Sequence, residues 1–278
     1  MSNRPLFIVI DIDGTLIGDV TPQVCEWELV QKYDKGKLKQ FKKGFCDQLK
    51  SGLLRPGFTN FIDQIKVQHP NSAFFIYTSS EGKWANFLVP CIEQVTGVRF
   101  MRPLFTRTHC LKLNDEYKKS LSKIAPKIHE RVGNQITLAD LLSHTFLIDN
   151  SNVILKQEEK SIVLCPTYSF VSLRDVTRHF DMETLGRHYT EMVPIMASYN
   201  MFPRIDKQVS LQQFLAIHYR HVYQLVSQLH KERHIENDTD LFWSSLGNIM
   251  SKLDLSRYSK EAIVRMINDK LRYKGLMP

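Results

Sequence analysis

The chain has 278 residues, 43% of them hydrophobic and 24% charged, with a formal net charge of +8. That composition suits a folded globular protein with room for one domain and a substantial appendage. No apolar run approaches the roughly 18 residues of a membrane span, which argues against membrane insertion. Five scattered cysteines with no CxxC pair argue against a disulfide framework or a zinc site, and for a reducing compartment, cytoplasm or nucleus.

The first predicted element is a strand, "LFIVIDID" (6–13). The preceding "MSNRP" lacks the features of a secretory leader, so this stretch reads as a core strand. Residues 17 to about 54 read as a helical, lysine-rich insert. Its segment 32–45 holds six lysines and one acidic residue. A helix over "PGFTNFIDQIKVQH" then leads to a second strand, "AFFIYTSS" (73–80), followed by a helix over "EGKWANFLVPCIEQV". A third strand, "HTFLIDNS" (144–151), and a fourth, "SIVLCP" (161–166), complete the series. Short apolar runs without polar alternation suit strands buried on both faces, and their alternation with helices predicts an α/β fold with a mostly parallel sheet. From about residue 171 onward the chain reads as a helical C-terminal region packed on a core of residues 1–170. "SLQQFLAIHYRHVYQLVSQLH" (210–230) opens with a capping box formed by Ser210 and Gln213, and "DLFWSSLGNIMSKL" and "SKEAIVRMINDKL" follow.

Ligands of parallel sheets bind beyond the carboxyl ends of the strands. Three of the four strands end in chemically capable residues: Asp11 and Asp13, Thr78 and Ser79, and Asp149 and Asn150. Two carboxylates so close repel, and burial raises the cost, so a cation is expected near them. Asp149 and Asn150 are oxygen donors suited to Mg²⁺, and Thr78 offers a hydroxyl. The histidine pairs His218/His221 and His230/His234 stand at helical spacing. They have no intervening HExxH glutamate and no nearby cysteine pair, and read as ordinary surface or core histidines.

The "DIDGT" at the end of the first strand resembles the phosphoaspartate loop of the haloacid dehalogenase (HAD) superfamily. The wider pattern resembles the branch containing the RNA polymerase II C-terminal-domain (CTD) phosphatases, the NLI-interacting-factor-like phosphatases. "RPGFTNFI" (55–62), "YTSSEGKWA" (77–85), "RPLFTRTHC" (102–110), "YKKSLSKI" (117–124) and "IDNS" (148–151) carry that resemblance. It implies a HAD-type Rossmann-like fold and a Mg²⁺-dependent phosphatase. Asp11 would be the nucleophile and Asp13 the general acid and base. Thr78, Ser79 and Lys119 would hold the phosphate, Lys119 having Lys118 and Lys83 as competitors. Asp11, Asp13, Asp149 and Asn150 would hold the metal. The chain departs from the branch in having Gly14 where a glutamate is usual. The 17–54 insert and the C-terminal helices have no counterpart in the pattern, and the branch's small β insert is not evident in the sequence.

The gaps between these motifs are too short for an obvious large cap domain. An open, basic mouth is expected, which favours a phosphoprotein or a nucleic-acid end as substrate. The leading expectation is therefore a protein serine/threonine phosphatase of CTD-phosphatase type. A polynucleotide 3′-phosphatase, which the basic charge would suit, and a binding or scaffold protein on a phosphatase fold are the alternatives.

Overall fold

A computed structural model describes residues 5–33, 35–133, 136–170, 240–253 and 257–277. In chain order the strands are β1 (Phe7–Ile10), β2 (Ala73–Ile76), β3 (Leu111–Leu113), β4 (Glu116–Lys118), β5 (Thr145–Asp149) and β6 (Ile162–Leu164). The helices are α1 (Thr21–Tyr33), α2 (Leu38–Gln48), α3 (Phe58–Gln68), α4 (Gly82–Thr96), α5 (Leu121–Val132), α6 (Leu138–Ser143), α7 (Phe242–Met250) and α8 (Lys260–Tyr273). β2, β1, β5 and β6 form one sheet in that spatial order, parallel throughout. The fold is α/β, as the strand pattern predicts.

The period-2 geometry of a strand sends alternate side chains to opposite faces. Ile8, Ile10, Phe74, Ile76, Phe146 and Ile148 enter one apolar layer, shared with helices α2, α3, α4, α7 and α8. Phe7, Val9, Phe75, Tyr77 and Leu147 enter the other, shared with α5 and α6. Both faces are dry, so the strands carry no polar alternation.

The segment 17–54 is helical as expected. Phe41, Phe45 and Cys46 of α2 are buried, and the two phenylalanines meet Trp84 and Phe87 of α4 with ring centroids 5.4–5.7 Å apart. The C-terminal helices α7 and α8 occur where "DLFWSSLGNIMSKL" and "SKEAIVRMINDKL" predict them. Trp243 of α7 seats against Phe58 and Phe61 of α3, 5.2 and 4.9 Å between centroids. Ser259 caps α8 by accepting the amide of Ala262. The predicted helix at 210–230, with its Ser210 cap and the four histidines, lies outside the described residues.

One element was not anticipated. β3 and β4 form an antiparallel hairpin whose turn residues Asn114 and Asp115 both have positive φ, +48° and +64°. Asn and Asp tolerate that region better than other non-glycine residues. The hairpin delivers the chain to Lys119.

Candidate active site

β1 sits between β2 and β5, so the carboxyl ends of three strands lie side by side. The backbone after β1 turns sharply: Gly14, Thr15 and Leu16 fold back on Ile12 and Ile17 through hydrogen bonds of 2.9–3.2 Å. Gly14 has φ +74°, and a Cβ there would lie 2.6 Å from Asn150 Nδ2. Only glycine meets both demands. Thr15, fully buried, ties the first loop to the third: its hydroxyl accepts the Asn150 amide (2.9 Å) and donates to Asn150 Oδ1 (3.2 Å).

Lys119 is the central cation. Its side chain is 1% exposed, and Nζ donates to Asp11 Oδ1 at 2.5 Å and Asp149 Oδ2 at 2.7 Å. The Tyr77 ring lies beneath it, 5.7 Å to the centroid. Burial alone would lower the lysine's pKa, but Asp11 and Asp149 outweigh it and hold the ammonium above its usual range. The two rival lysines are elsewhere: Lys118 pairs with Glu116 at 2.9 Å, and Lys83 is exposed.

Burial pushes the Asp11 carboxyl up to about 7. Lys119 opposes the shift, and Asp149 and Asp13 add to it. Burial also raises Asp13, against hydrogen bonds from Ser80 and Thr78 that favour its charged form. Asp13 Oδ2 accepts from Ser80 Oγ (2.7 Å) and, at the edge of bonding range, from Thr78 Oγ1 (3.4 Å). Asp13 Oδ1 is buried without a hydrogen-bond partner. Asp149 Oδ1 accepts the amide and hydroxyl of Ser151. Asn150 Nδ2 donates to Thr167 Oγ1. Of the phosphate-loop residues, Thr78 is fully buried and accepts the Ser80 amide at 3.0 Å, while the Ser79 carbonyl accepts from Arg107 Nε at 2.8 Å.

Among the described residues no three acidic, histidine or cysteine side chains form a ready-made metal cage. The chemistry of the cluster still fits a hard divalent ion. Two carboxylates share one ammonium, a third is held by hydroxyls, the side-chain donors are oxygens, and Asp13 Oδ1 lacks a partner. Asp11, Asp13, Asp149 and Asn150 are the residues that would hold such an ion if it binds.

Some participants escaped the sequence reading. Ser80 shares Asp13 with Thr78, two residues along the same loop, and was visible only as the second serine of "TSS". Tyr77 braces the lysine, and its hydroxyl accepts the Ser120 amide at 3.2 Å. Arg55 is 1% exposed: Nε contacts both Asp240 oxygens at 3.0 Å, and Nη1 donates to the carbonyls of Pro166 (2.9 Å) and Thr15 (3.4 Å).

The expectation of a basic mouth is corrected. A cavity of about 450 Å³ opens beside Asp13 and Ser80. Its described lining carries Asp13, Asp19, Glu28 and Glu81 against one cation, Arg107, with Trp27 and Trp84 alongside. The lysines at 35, 39, 42, 43 and 50 stand exposed on α2 and its flanks, outside that lining. Net charge counts residues without saying where they fall.

A parallel α/β sheet with carboxylates at adjacent strand tips agrees with the HAD-type fold that the sequence resemblance implies. The family model for "NLI interacting factor-like phosphatase" matches residues 6–185, more than half of the chain, and the chain belongs to that family. It is accordingly a phosphatase, a phosphoric monoester hydrolase. No curated protein sequence matches it. Among solved structures it is similar to that of Fcp1, an essential RNA polymerase II CTD phosphatase. Identity is 18%, covering 94% of this chain and 70% of that one, with a TM-score of 0.38. It is also similar to fission yeast Fcp1 bound to beryllium fluoride, at 14% identity over 84% and 69% of the two chains, TM-score 0.36. Likeness at this level does not extend to substrate.

Proposed function

We propose that this chain is a Mg²⁺-dependent protein serine/threonine phosphatase that works through an aspartyl-phosphate intermediate. The observation that carries the reading is the buried Lys119 ammonium shared between Asp11 and Asp149, with Asp13 held by Ser80 beside it. An Asp11 oxygen attacks phosphorus, and the bond from phosphorus to the serine or threonine oxygen breaks. Asp13 gives that oxygen a proton. Asp13 then takes a proton from water, the water oxygen attacks phosphorus, and phosphate leaves as the Asp11 carboxylate is restored. Lys119, the Thr78 hydroxyl and the backbone amides around Ser79 stabilise charge on the phosphoryl oxygens. Mg²⁺ bound among Asp11, Asp13, Asp149 and Asn150 would neutralise phosphate charge and keep Asp11 ionised.

The cavity beside Asp13 supports a peptide substrate over a nucleic-acid end, because the charged residues of its described lining are mostly acidic and disfavour a polyphosphate backbone. The exposed lysines of α2 favour the polynucleotide reading instead, and one assay separates the two. Four buried free thiols, Cys46, Cys91, Cys110 and Cys165, fit a reducing compartment, nucleus or cytoplasm. No helix among the described residues is long and apolar enough to cross a membrane.

The test is phosphate release from phosphoserine peptides and from a 3′-phosphorylated oligonucleotide, with Mg²⁺ and with EDTA, by wild type and Asp11→Asn. We expect turnover of the peptides alone, requiring Mg²⁺ and absent in the variant, while the variant's circular dichroism stays that of wild type. Activity confined to the oligonucleotide would overturn the substrate assignment, and an active Asp11→Asn would overturn the nucleophile.

A further inference from the structure

A lysine reaches its target through four rotatable bonds, so its ammonium is placed only as well as its backbone is fixed. At Lys119 the backbone is held on one side by a bridge to the loop after β5. The Lys119 amide donates to the Val153 carbonyl (2.7 Å), and its own carbonyl accepts the Leu155 amide (3.0 Å). On the other side α5 begins at once, and the first amides of a helix have no partner within it. Each of the four amides after Lys119 is nonetheless satisfied. Ser120 N donates to Tyr77 Oη, and Lys123 N to the Ser120 hydroxyl (3.2 Å). Leu121 N (2.8 Å) and Ser122 N (3.0 Å) both donate to the Glu158 carboxylate. The same carboxylate accepts the hydroxyls of Ser120 (3.3 Å) and Ser122.

We propose that Glu158 is a positioning residue for Lys119, clasping the start of α5 to the loop that also holds Lys119 in its bridge. α5 already has a side-chain cap in Ser120, so Glu158 is not needed merely to start the helix. Its carboxylate comes from 38 positions away, on the helical turn Lys156–Ser161, only three residues past the bridging Leu155. Loop and helix start therefore move as one body, and the lysine between them has its backbone fixed at both ends. Negative charge at a helix start is also favourable in itself. The functional consequence rests on the phosphatase reading of Lys119; the positional one does not.

The test compares full-length wild type with Glu158→Gln and Glu158→Ala. Ser259→Ala, which removes the side-chain cap of α8 but none of the groups bonded to Glu158, serves as the control for ordinary helix capping. kcat and KM for an aryl phosphate with Mg²⁺ are measured below every variant's melting midpoint. The ¹⁵N ammonium resonance of Lys119, assigned by its loss in Lys119→Met, is recorded alongside. A misplacement on the order of 1 Å should lower kcat by about 100-fold. KM should stay within about a factor of two, as for an interaction felt mainly in the transition state. The ammonium signal should shift or vanish in the Glu158 variants and persist in Ser259→Ala. Should Glu158→Ala not fold, Glu158→Gln carries the test, since its amide oxygen still accepts one of the two backbone donors. A folded Glu158→Gln with wild-type kcat and an unmoved ammonium signal would overturn the proposal. A wild type with no phosphatase activity but an ammonium signal that depends on Glu158 would sustain the positioning and reject the phosphatase reading.

Discussion

Arg55 offers the sharpest test of how the C-terminal segment is tied to the candidate site. Its guanidinium contacts Asp240 at 3.0 Å, the Pro166 carbonyl at 2.9 Å and the Thr15 carbonyl at 3.4 Å. It also lies over the rings of Phe242 and Tyr168, 4.6 and 5.5 Å from their centroids. Replacing it by methionine keeps much of the apolar stem and removes the charge and the donors. Breaking a buried ion pair from one side costs about 3–5 kcal/mol. Asp240 keeps 17% side-chain exposure and still accepts the Phe242 amide, so the lower end of that range applies. A buried carbonyl left without its donor adds about 1–3 kcal/mol. Arg55→Met should therefore lose about 4–5 kcal/mol.

For a chain of this size each kcal/mol moves the melting midpoint by about 2–4 °C, so the fall is on the order of 10–15 °C. Thermal melts of Arg55→Met, Asp240→Asn and the double variant form a cycle in which the second substitution costs much less once the first is made. A single-variant loss below about 1 kcal/mol, the scale of an exposed pair, or additive effects in the cycle, would refute the claim that this pair fastens the segment at 240 to the core.

Two further outcomes are expected. Gly14→Ala forces a side chain into φ +74° and against Asn150 Nδ2, so it should lose about 1–2 kcal/mol from the backbone alone and weaken the rise in melting midpoint with Mg²⁺ that the proposed metal site predicts. A variant that melts and responds to Mg²⁺ like wild type would show that the loop has room to spare. Glu93 gives a pH test. Burial would raise its carboxyl, but the two hydrogen bonds from Arg102, the Phe100 amide and Arg99 outweigh that and hold it below its ordinary 4.5. A depressed carboxyl stabilises the fold above its unfolded value and loses that contribution as pH falls through the folded one. Glu93→Gln should thus cost about 1–2 kcal/mol near neutrality, a modest figure because Arg102 is 41% exposed, and its melting midpoint should converge on wild type below pH 4.5. A gap that widened in acid would reverse the sign of the reasoning.

How far the sequence could be read follows from the range of the interactions involved. The sheet strands were legible because burial on both faces leaves runs such as "FIVI" and "AFFI" with no polar member. The meeting of Asp11 with Asp149 followed from a parallel sheet, since such strands end on the same edge. Hairpin β3–β4 was missed because "LKLNDEYK" is exposed and lacks an apolar face, leaving only the Asn-Asp turn as a signal. Ser80, Arg55 and Glu158 were missed for another reason. Each acts through partners 36 to 185 positions away, and no local spacing records such a pairing. Charge was the most misleading clue: a run of lysines decorates α2 and its flanks, while the charged residues lining the cavity beside Asp13 are mostly acids.

The strand order makes the electrostatic problem at this edge unavoidable. With β1 flanked by β2 and β5, the chain must place Asp11 and Asp149 on neighbouring tips, and Asp13 follows within the same turn. A positive group from either adjacent strand would have to lie in the apolar layers, where only a paired charge survives. The lysine comes instead from outside the sheet, through the hairpin and the Lys119–Ile154 bridge, and reaches in over the Tyr77 ring. One ammonium satisfies two carboxylate oxygens and leaves Asp13 to hydroxyl donors, with Oδ1 bare. The burial that drives Asp11 up to about 7 is thus the expected cost of an edge with more negative charge than its protein partners offset. A cation, or a reaction that needs carboxylates held this close, gives such an arrangement a reason to persist.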